Sequence, residues 1–445
     1  MSSFNIQKQL IKRIKDYNQQ TSKKIDPSLS PYTYMTPWAE SFGYYKLQKL
    51  VNKQNFRAFI YILKDLISLR KISNLDFHKD TKYLKNKNYQ NLIISYCQKS
   101  NFKNGIFNDQ YFNFSSKKDD YLWFLISLDN YIPNKLSKNV YIFFNKKSHK
   151  TRFIFLTFIF KYLFKKNYGL KNFFHWANSI FFFSREIKNN LKKILLLGNI
   201  KKIIINYEAI PFQHALINEA KKFDKKIKTI CYLHCAGWPF QSDLIYRNTK
   251  IDKLFVSGID QKNNLNKFLG WPKNKVVNIA SLRFSSKDKN DFGGKIFIPF
   301  KILNKGIIVK NFEKFLQNTK NKSLNKLGFR IHPLNQSSKK HQDLKKDLTI
   351  LLGNYKNKFL KKKRRLYSVV FGSVTGITIQ ALERGIQILH FPNDTKLDVF
   401  NEVMWPNIKV EEYTSGVFKY SLKKKNRSFW VNPKKPEFQS CFNLT

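Results

Sequence analysis

From about residue 200 onward, short runs of consecutive apolar residues alternate with longer amphipathic stretches, and that alternation leaves few folds open. The run "KKIIINYE" reads as a strand covered on both faces, since consecutive β-branched residues suit a buried parallel strand. "FQHALINEAKKF" then reads as a helix, with Ala215, Leu216 and Ala220 near helical spacing. "IKTICYLH", "KLFVSG" and "KVVNIAS" are further strands, and "QKNNLNKFLG" is a helix ending on Gly270. A polar stretch, "RFSSKDKNDFGG" from Arg283 to Gly294, has the composition of a linker. Beyond it the pattern resumes with strands in "KIFIPF", "LGFRIHP", "YSVVFG" and "IQILHFP", separated by helices in "VKNFEKFLQN", "QDLKKDLTILLG" and "GITIQALERG". Strands alternating with helices predict parallel sheets in an α/β protein, here two units joined near residue 290. The expected division is 151–290 for the first unit and 291–445 for the second, with 1–150 a helical or irregular front part of the first.

The front part is harder to read. Possible helices around Phe4 to Tyr17 and Tyr45 to Ile72 are separated by the breaker-rich "DPSLSPYTYMTPW". The first twenty residues hold no long apolar segment, so no secretory signal is expected. The most apolar region, Phe153 to Ser184, is interrupted by Lys161, Lys165, Lys166 and Lys171 and is too broken to span a bilayer. It suits buried core helices, or lysine-flanked helices lying on a membrane surface.

Charge bounds the partners. The chain carries 82 Lys plus Arg against 29 Asp plus Glu, formally +53 at pH 7. Abundant Lys, Asn, Ile, Phe and Tyr together match AT-rich codons, but that bias does not account for so few acids. The excess predicts attraction to an anion, whether a membrane surface, nucleic acid or phosphorylated substrates. The lysines are spread along the chain and no nucleic-acid motif appears, so no specific nucleic acid is expected. A chain that is 42% hydrophobic and 16% aromatic is not disordered. Cys97, Cys231, Cys235 and Cys441 form no disulfide framework, which suits a reducing compartment. Cys231, His234 and Cys235 in "CYLHC" lack a second Cys/His pair at zinc-like spacing, so no metal is expected there.

In open α/β sheets ligands bind beyond the carboxyl ends of the strands, which puts the weight on strand exits. Glu208 follows a wholly apolar strand and precedes Pro211, a helix-starting residue. A carboxylate there is either a general base with a raised pKa or a capping, salt-bridged group. His234 leaves its strand into a Gly-Trp-Pro turn that offers Trp238 for stacking on a sugar face, or is a satisfied core histidine. His332 stands before Pro333, which holds it extended, and Arg330 shares its strand face. An imidazole so placed can donate to a phosphate oxygen. Finally, Gly372, Ser373, Val374, Thr375 and Gly376 form a small hydroxyl-bearing turn that opens a helix, an anion site by its free N–H groups and dipole. Glu383, about two turns on, lies within reach of a nucleotide ribose. The turn lacks the spacing of a P-loop or a dinucleotide fingerprint, so neither ATPase nor dehydrogenase is supported.

"RIHP" followed by "GSVTGITIQALERGIQILHF" resembles the donor-binding half of GT-B glycosyltransferases of bacterial surface-polysaccharide assembly, above all the capsule group with Kdo transferases, polysialyltransferases and CDP-glycerol polymerases. "YEAIPFQHALINEAKK" with "YLHCAGWP" resembles the acceptor-side half, and together the blocks cover roughly residues 200 to 415. The resemblance implies a GT-B-like fold, two facing Rossmann-like parallel-sheet domains with an N-terminal helical elaboration. It implies that His332, Ser373 and Thr375 bind the donor's phosphate and that Glu208 acts as base. The turn here reads Ser-Val-Thr where several relatives carry adjacent serines. The expected activity is inverting, metal-independent sugar transfer from a nucleotide sugar, a CMP-sugar favoured, to a saccharide or lipid-linked acceptor. No cofactor beyond the donor substrate is expected. The enzyme would be cytoplasmic, peripheral at the anionic inner face of the plasma membrane. The alternatives are a CDP-polyol phosphotransferase of the same fold, or a non-enzymatic basic protein binding nucleic acid or anionic surfaces.

Overall fold

The computed structural model describes residues 2–22, 43–45, 47–48, 74–79, 84, 88–117, 120–146, 179–235, 237–284, 293–318, 327–332, 335–355, 367–372, 376–423 and 437–442. Helix α1, Ser3–Ser22, agrees with the helix expected around Phe4 to Tyr17. The helix expected over Tyr45 to Ile72 lies almost entirely outside the described residues, as does the apolar region from Phe153 up to the start of α2, Ser179–Leu197. Among the described residues no helix is long and apolar enough to cross a membrane.

The first unit is an eight-stranded sheet. Its strands are β1 (Asn74–Phe77), β2 (Asn91–Cys97), β6 (Tyr121–Ser127), β7 (Val140–Lys146), β8 (Lys202–Tyr207), β9 (Lys228–Leu233), β10 (Lys253–Ser257) and β11 (Val276–Ile279), in spatial order β1-β7-β6-β2-β8-β9-β10-β11. Only β1 runs antiparallel to its neighbour. Between β2 and β6 the chain forms a small antiparallel sheet of β3 (Phe102–Lys103), β4 (Ile106–Asp109) and β5 (Phe114–Ser115). Helices α2, α3 (Pro211–Phe223) and α4 (Ile259–Lys267) complete the unit.

The front of the chain therefore differs from the helical or irregular part expected for 1–150, because residues 74–146 supply four strands of the main sheet. The physical reason lies in "NLIISYC", "YLWFLIS" and "VYIFFNK". A strand buried on both faces is a continuous apolar run that periodicity does not separate from a buried helix. The crossover from β2 to β6 carries a minisheet in place of the amphipathic helix that would have revealed the alternation. Burial confirms the period of two: Leu92, Ile94 and Tyr96 enter one core cluster while Ile93 and Cys97 enter another, and Leu122 and Phe124 alternate in the same way with Trp123 and Leu125. Each such aliphatic or aromatic side chain contributes about 1.5–3 kcal/mol by leaving water.

The second unit is a six-stranded sheet in spatial order β13-β12-β14-β15-β17-β16. Strands β12 (Lys295–Phe297), β13 (Gly328–Arg330), β14 (Tyr367–Phe371) and β15 (Gln387–Phe391) are parallel, and the hairpin of β16 (Ile408–Thr414) and β17 (Val417–Leu422) adds an antiparallel edge. Helices α5 (Lys305–Asn318), α6 (Lys339–Asn354) and α7 (Gly376–Glu383) complete it. Both units are Rossmann-like α/β layers, as expected.

Several contacts among the described residues join the units. Helix α1 buries Ile6, Leu10, Ile11 and Ile14 on one face, while its Gln7 amide donates to the Lys396 carbonyl and its Lys15 ammonium to the Phe268 carbonyl. Asp260 at the start of α4 accepts from the backbone N–H and side-chain amide of Asn407, at 3.1 and 2.7 Å. Helix α8, Phe438–Phe442, packs its two phenylalanines among Phe112, Trp123, Tyr232 and Phe255 of the first unit. Residues 437–442 thus belong with the first core, where the expected division of 291–445 placed them with the second sheet.

Candidate active site

In the first sheet β2 is followed by β6 on one side and flanked by β8 on the other, so the direction of winding reverses between β2 and β8. A crevice opens beyond the carboxyl ends of strands at such a point. Strand β8 delivers Glu208 there. The turn that carries it is locked: Ala209 adopts φ 56°, a left-handed conformation that L residues disfavour by roughly 1–2 kcal/mol. The Gln213 side chain folds back from α3 to hold it. Its Oε1 accepts from the N–H groups of Glu208 and Ile210 at 2.9 and 3.1 Å, and its Nε2 donates to the Asn206 carbonyl at 2.7 Å and the Tyr96 hydroxyl at 3.2 Å. Pro211 then occupies the first helical turn, where its missing N–H is not needed.

The Glu208 carboxylate, 23% exposed, lies 3.2 Å from Nε2 of His234, which leaves the neighbouring strand β9 and is 5% exposed. Burial, reinforced by the negative charge of Asp243 and opposed by Arg283, raises the Glu208 carboxyl to about 7. Burial and the Arg283 charge push His234 down to about 3, so at neutral pH the imidazole is uncharged. The contact is therefore a hydrogen bond between a neutral ring and a carboxyl group rather than an ion pair. When Glu208 is ionised, Nε2–H donates to it and fixes the tautomer. Tyr111 lies against the His234 ring at 4.4 Å between centroids, tilted by 56°. Tyr111 is itself anchored by Asp109, which accepts the Tyr111 and Phe112 N–H groups at 2.7 Å and the Ser95 hydroxyl.

Arg283 stands beyond β11, its guanidinium 5.4 Å from the Tyr111 ring centroid and 4.8 Å from that of Phe284. Among the described residues it has no carboxylate partner. Its charge acts on Glu208, His234 and Cys235 of the first unit and also on His332 of the second, whose pKa burial and Arg283 lower. Arg283 thus lies close enough to act on residues beyond the carboxyl ends of both sheets.

On that second side His332 follows β13, its ring edge-on to Phe300 at 5.0 Å. Arg330 ends β13 two residues earlier. Gly372 at the exit of β14 has φ 71°, and a Cβ there would lie 3.1 Å from the Pro299 side chain and 2.8 Å from that of Asn393, so glycine permits the close approach of the β12 exit. His390 donates to the Gly372 carbonyl and accepts from the Tyr420 hydroxyl, bracing the turn from below. Gly376 opens α7 and Glu383 closes it. The expected phosphate-turn residues Ser373, Val374 and Thr375 lie outside the described residues.

The structure brings Glu208 and His234 into contact and places Trp238 on the loop that follows. That loop is held against the second unit: Trp405 donates from Nε1 to the Pro239 carbonyl at 3.1 Å and covers Gly237, where a Cβ would lie 1.8 Å from its ring. Sequence reasoning missed Tyr111, because it sits in the turn between β4 and β5 of the minisheet, and Arg283, because its polar surroundings read as a linker although it too is a strand exit. Cys235 was set aside with "CYLHC", yet its Sγ is 3.3 Å from His234 Nε2, and with Glu208 the three ligand atoms lie within 4.8 Å of one another.

No protein family's model matches the chain, and no curated protein matches it. Among solved structures the chain is similar to a glycosyltransferase from Rickettsia africae ESF-5, with 12% identity, a TM-score of 0.33, and coverage of 70% of this chain and 86% of that one. It is similar to a trehalose-6-phosphate protein from E. coli bound with UDP-2-fluoro glucose, at 11% identity and TM-score 0.31 over 66% of this chain and 76% of that one. It is also similar to the wall teichoic acid polymerase TagF with CDPG, at 8% identity and TM-score 0.29 over 74% of this chain and 76% of that one.

Proposed function

We propose that the chain is an inverting glycosyltransferase that moves a sugar from a nucleotide-activated donor, a CMP-sugar by preference, to the hydroxyl of a saccharide or lipid-linked acceptor. The observation that carries this reading is the Glu208–His234 contact at the winding reversal of the first sheet, with the charge of Arg283 acting on both of these and on His332. The Glu208 carboxylate takes the proton of the acceptor hydroxyl as its oxygen attacks the anomeric carbon and the bond to the donor phosphate breaks. A carboxyl poised near 7 is well matched to that transfer. The neutral His234 holds the carboxylate in place, and Trp238 offers a face to the acceptor sugar. Negative charge develops on the departing phosphate, where Arg283 and His332, with Ser373 and Thr375 just ahead of α7 in the sequence, stabilise it without a metal. Arg330 and Glu383 flank the nucleotide. The surplus of cations favours a peripheral position on the anionic cytoplasmic face of a membrane, each Lys or Arg near the surface adding about 1 kcal/mol.

A thermal-shift screen of the purified chain against CMP, CDP, UDP, GDP and their sugar and glycerol conjugates tests the donor half. Stabilisation by one nucleotide, abolished in His332→Ala, is the expected result. Stabilisation by RNA alone, unchanged in His332→Ala, contradicts it.

A further inference from the structure

The "CYLHC" run places two kinds of metal ligand side by side, and the fold supplies a third from the adjacent strand exit. His234 Nε2 lies 3.2 Å from a Glu208 carboxylate oxygen and 3.3 Å from Cys235 Sγ, and the separation of oxygen and sulfur is at most 4.8 Å. Four-coordinate zinc, with bonds of about 2.0–2.1 Å to N and O and about 2.3 Å to S, spaces its ligands about 3.3–3.6 Å apart. Two edges of that tetrahedron are thus nearly in place, and the remaining one needs a small closure of the Cys235 rotamer. The buried Nδ1 of His234 has no hydrogen-bond partner among the described residues, so the ring's polar engagements are with the other two ligand groups.

We propose that Glu208, His234 and Cys235 form a zinc site that switches the enzyme off. A thiolate with an imidazole selects zinc over magnesium or calcium. One carboxylate and one thiolate neutralise a divalent cation where an uncompensated charge is costly. The cation enters past the part-exposed Glu208, displaces the thiol proton and any carboxyl proton to solvent, takes the Nε2 lone pair of the Nδ1–H tautomer and leaves a fourth position toward the cleft. Once bound, it occupies the carboxylate that would take the acceptor's proton. The inhibitory consequence rests on Glu208 being the base, whereas the site itself does not.

Cobalt(II) titration of the full-length, chelator-treated protein reads the site without turnover. One equivalent should produce a thiolate-to-cobalt absorption band that zinc abolishes. Cys235→Ser should weaken binding by more than about 100-fold, since partners outside the ligand shell alone are worth 10–100-fold, and Cys441→Ser should leave it unchanged. With a donor that turns over, stoichiometric zinc should abolish wild-type activity, while Cys235→Ser, measured against its own metal-free rate, should lose no activity to zinc. Absence of the band, or a band that persists in Cys235→Ser, overturns the site. Zinc bound there with activity undiminished or raised overturns the switch. If no donor supports turnover, the transferase reading fails and the cobalt titration alone decides the site.

Discussion

At Glu208 the same environment that suits a base works against the folded state, because a carboxyl held near 7 resists the ionisation that it would undergo freely in the unfolded chain. Glu208→Gln should lower kcat by about 10²–10⁴ while leaving nucleotide-induced thermal stabilisation intact. In chelator-treated enzyme, kcat/KM should rise with pH through a limb near 7, since the ionised form is the active one. His390 makes the opposite linkage. Burial pushes its pKa from the ordinary histidine value down to about 4, with the Gly372 carbonyl opposing. A lowered histidine means that the unfolded chain binds the proton first. Stability is therefore present above about 6.5 and falls as pH drops toward 4, by up to about 3 kcal/mol from this residue. His390→Gln should flatten the pH dependence of the denaturation midpoint between those values, measured by chemical unfolding at fixed ionic strength.

Elements position these residues through a few contacts that can be tested singly. Gln213 satisfies two N–H groups of the turn around Glu208. Gln213→Leu, close in volume but unable to bond, should cost about 1–3 kcal/mol of stability and reduce kcat, because the left-handed Ala209 turn loses its clamp. Gly237→Ala drives a methyl into the ring of Trp405, which is 1% exposed and has nowhere to swing, so a loss of about 1–3 kcal/mol is expected in denaturant unfolding. At this scale the sequence was legible where helices punctuate strands. The exits at Glu208, His234 and His332 were visible because each ends an apolar run followed by a turn or a helix start. Strands β2, β6 and β7 were not, since a doubly buried strand has no polar face to mark it. Arg283 was hidden differently: its relation to Glu208 and His332 exists only once two sheets are folded against each other, and no local pattern encodes it.

For the whole molecule, the surplus of cations yields a prediction about partners. Co-sedimentation with vesicles rich in anionic lipid should be strong near 0.1 M salt and lost near 1 M, over which the screening length falls from about 10 to about 3 Å. Retention at high salt would point to apolar insertion instead. The packing of α8 bears on a different matter, the order in which the protein can be made. Phe438 and Phe442 complete the hydrophobic layer under Phe112, Trp123, Tyr232 and Phe255. A ribosome delivers those two residues only after the entire second sheet has emerged. The amino-terminal unit therefore lacks these two rings of its layer until the second sheet has been synthesised. Its packing is completed after the second sheet is made rather than before it, a departure from strictly domain-by-domain order.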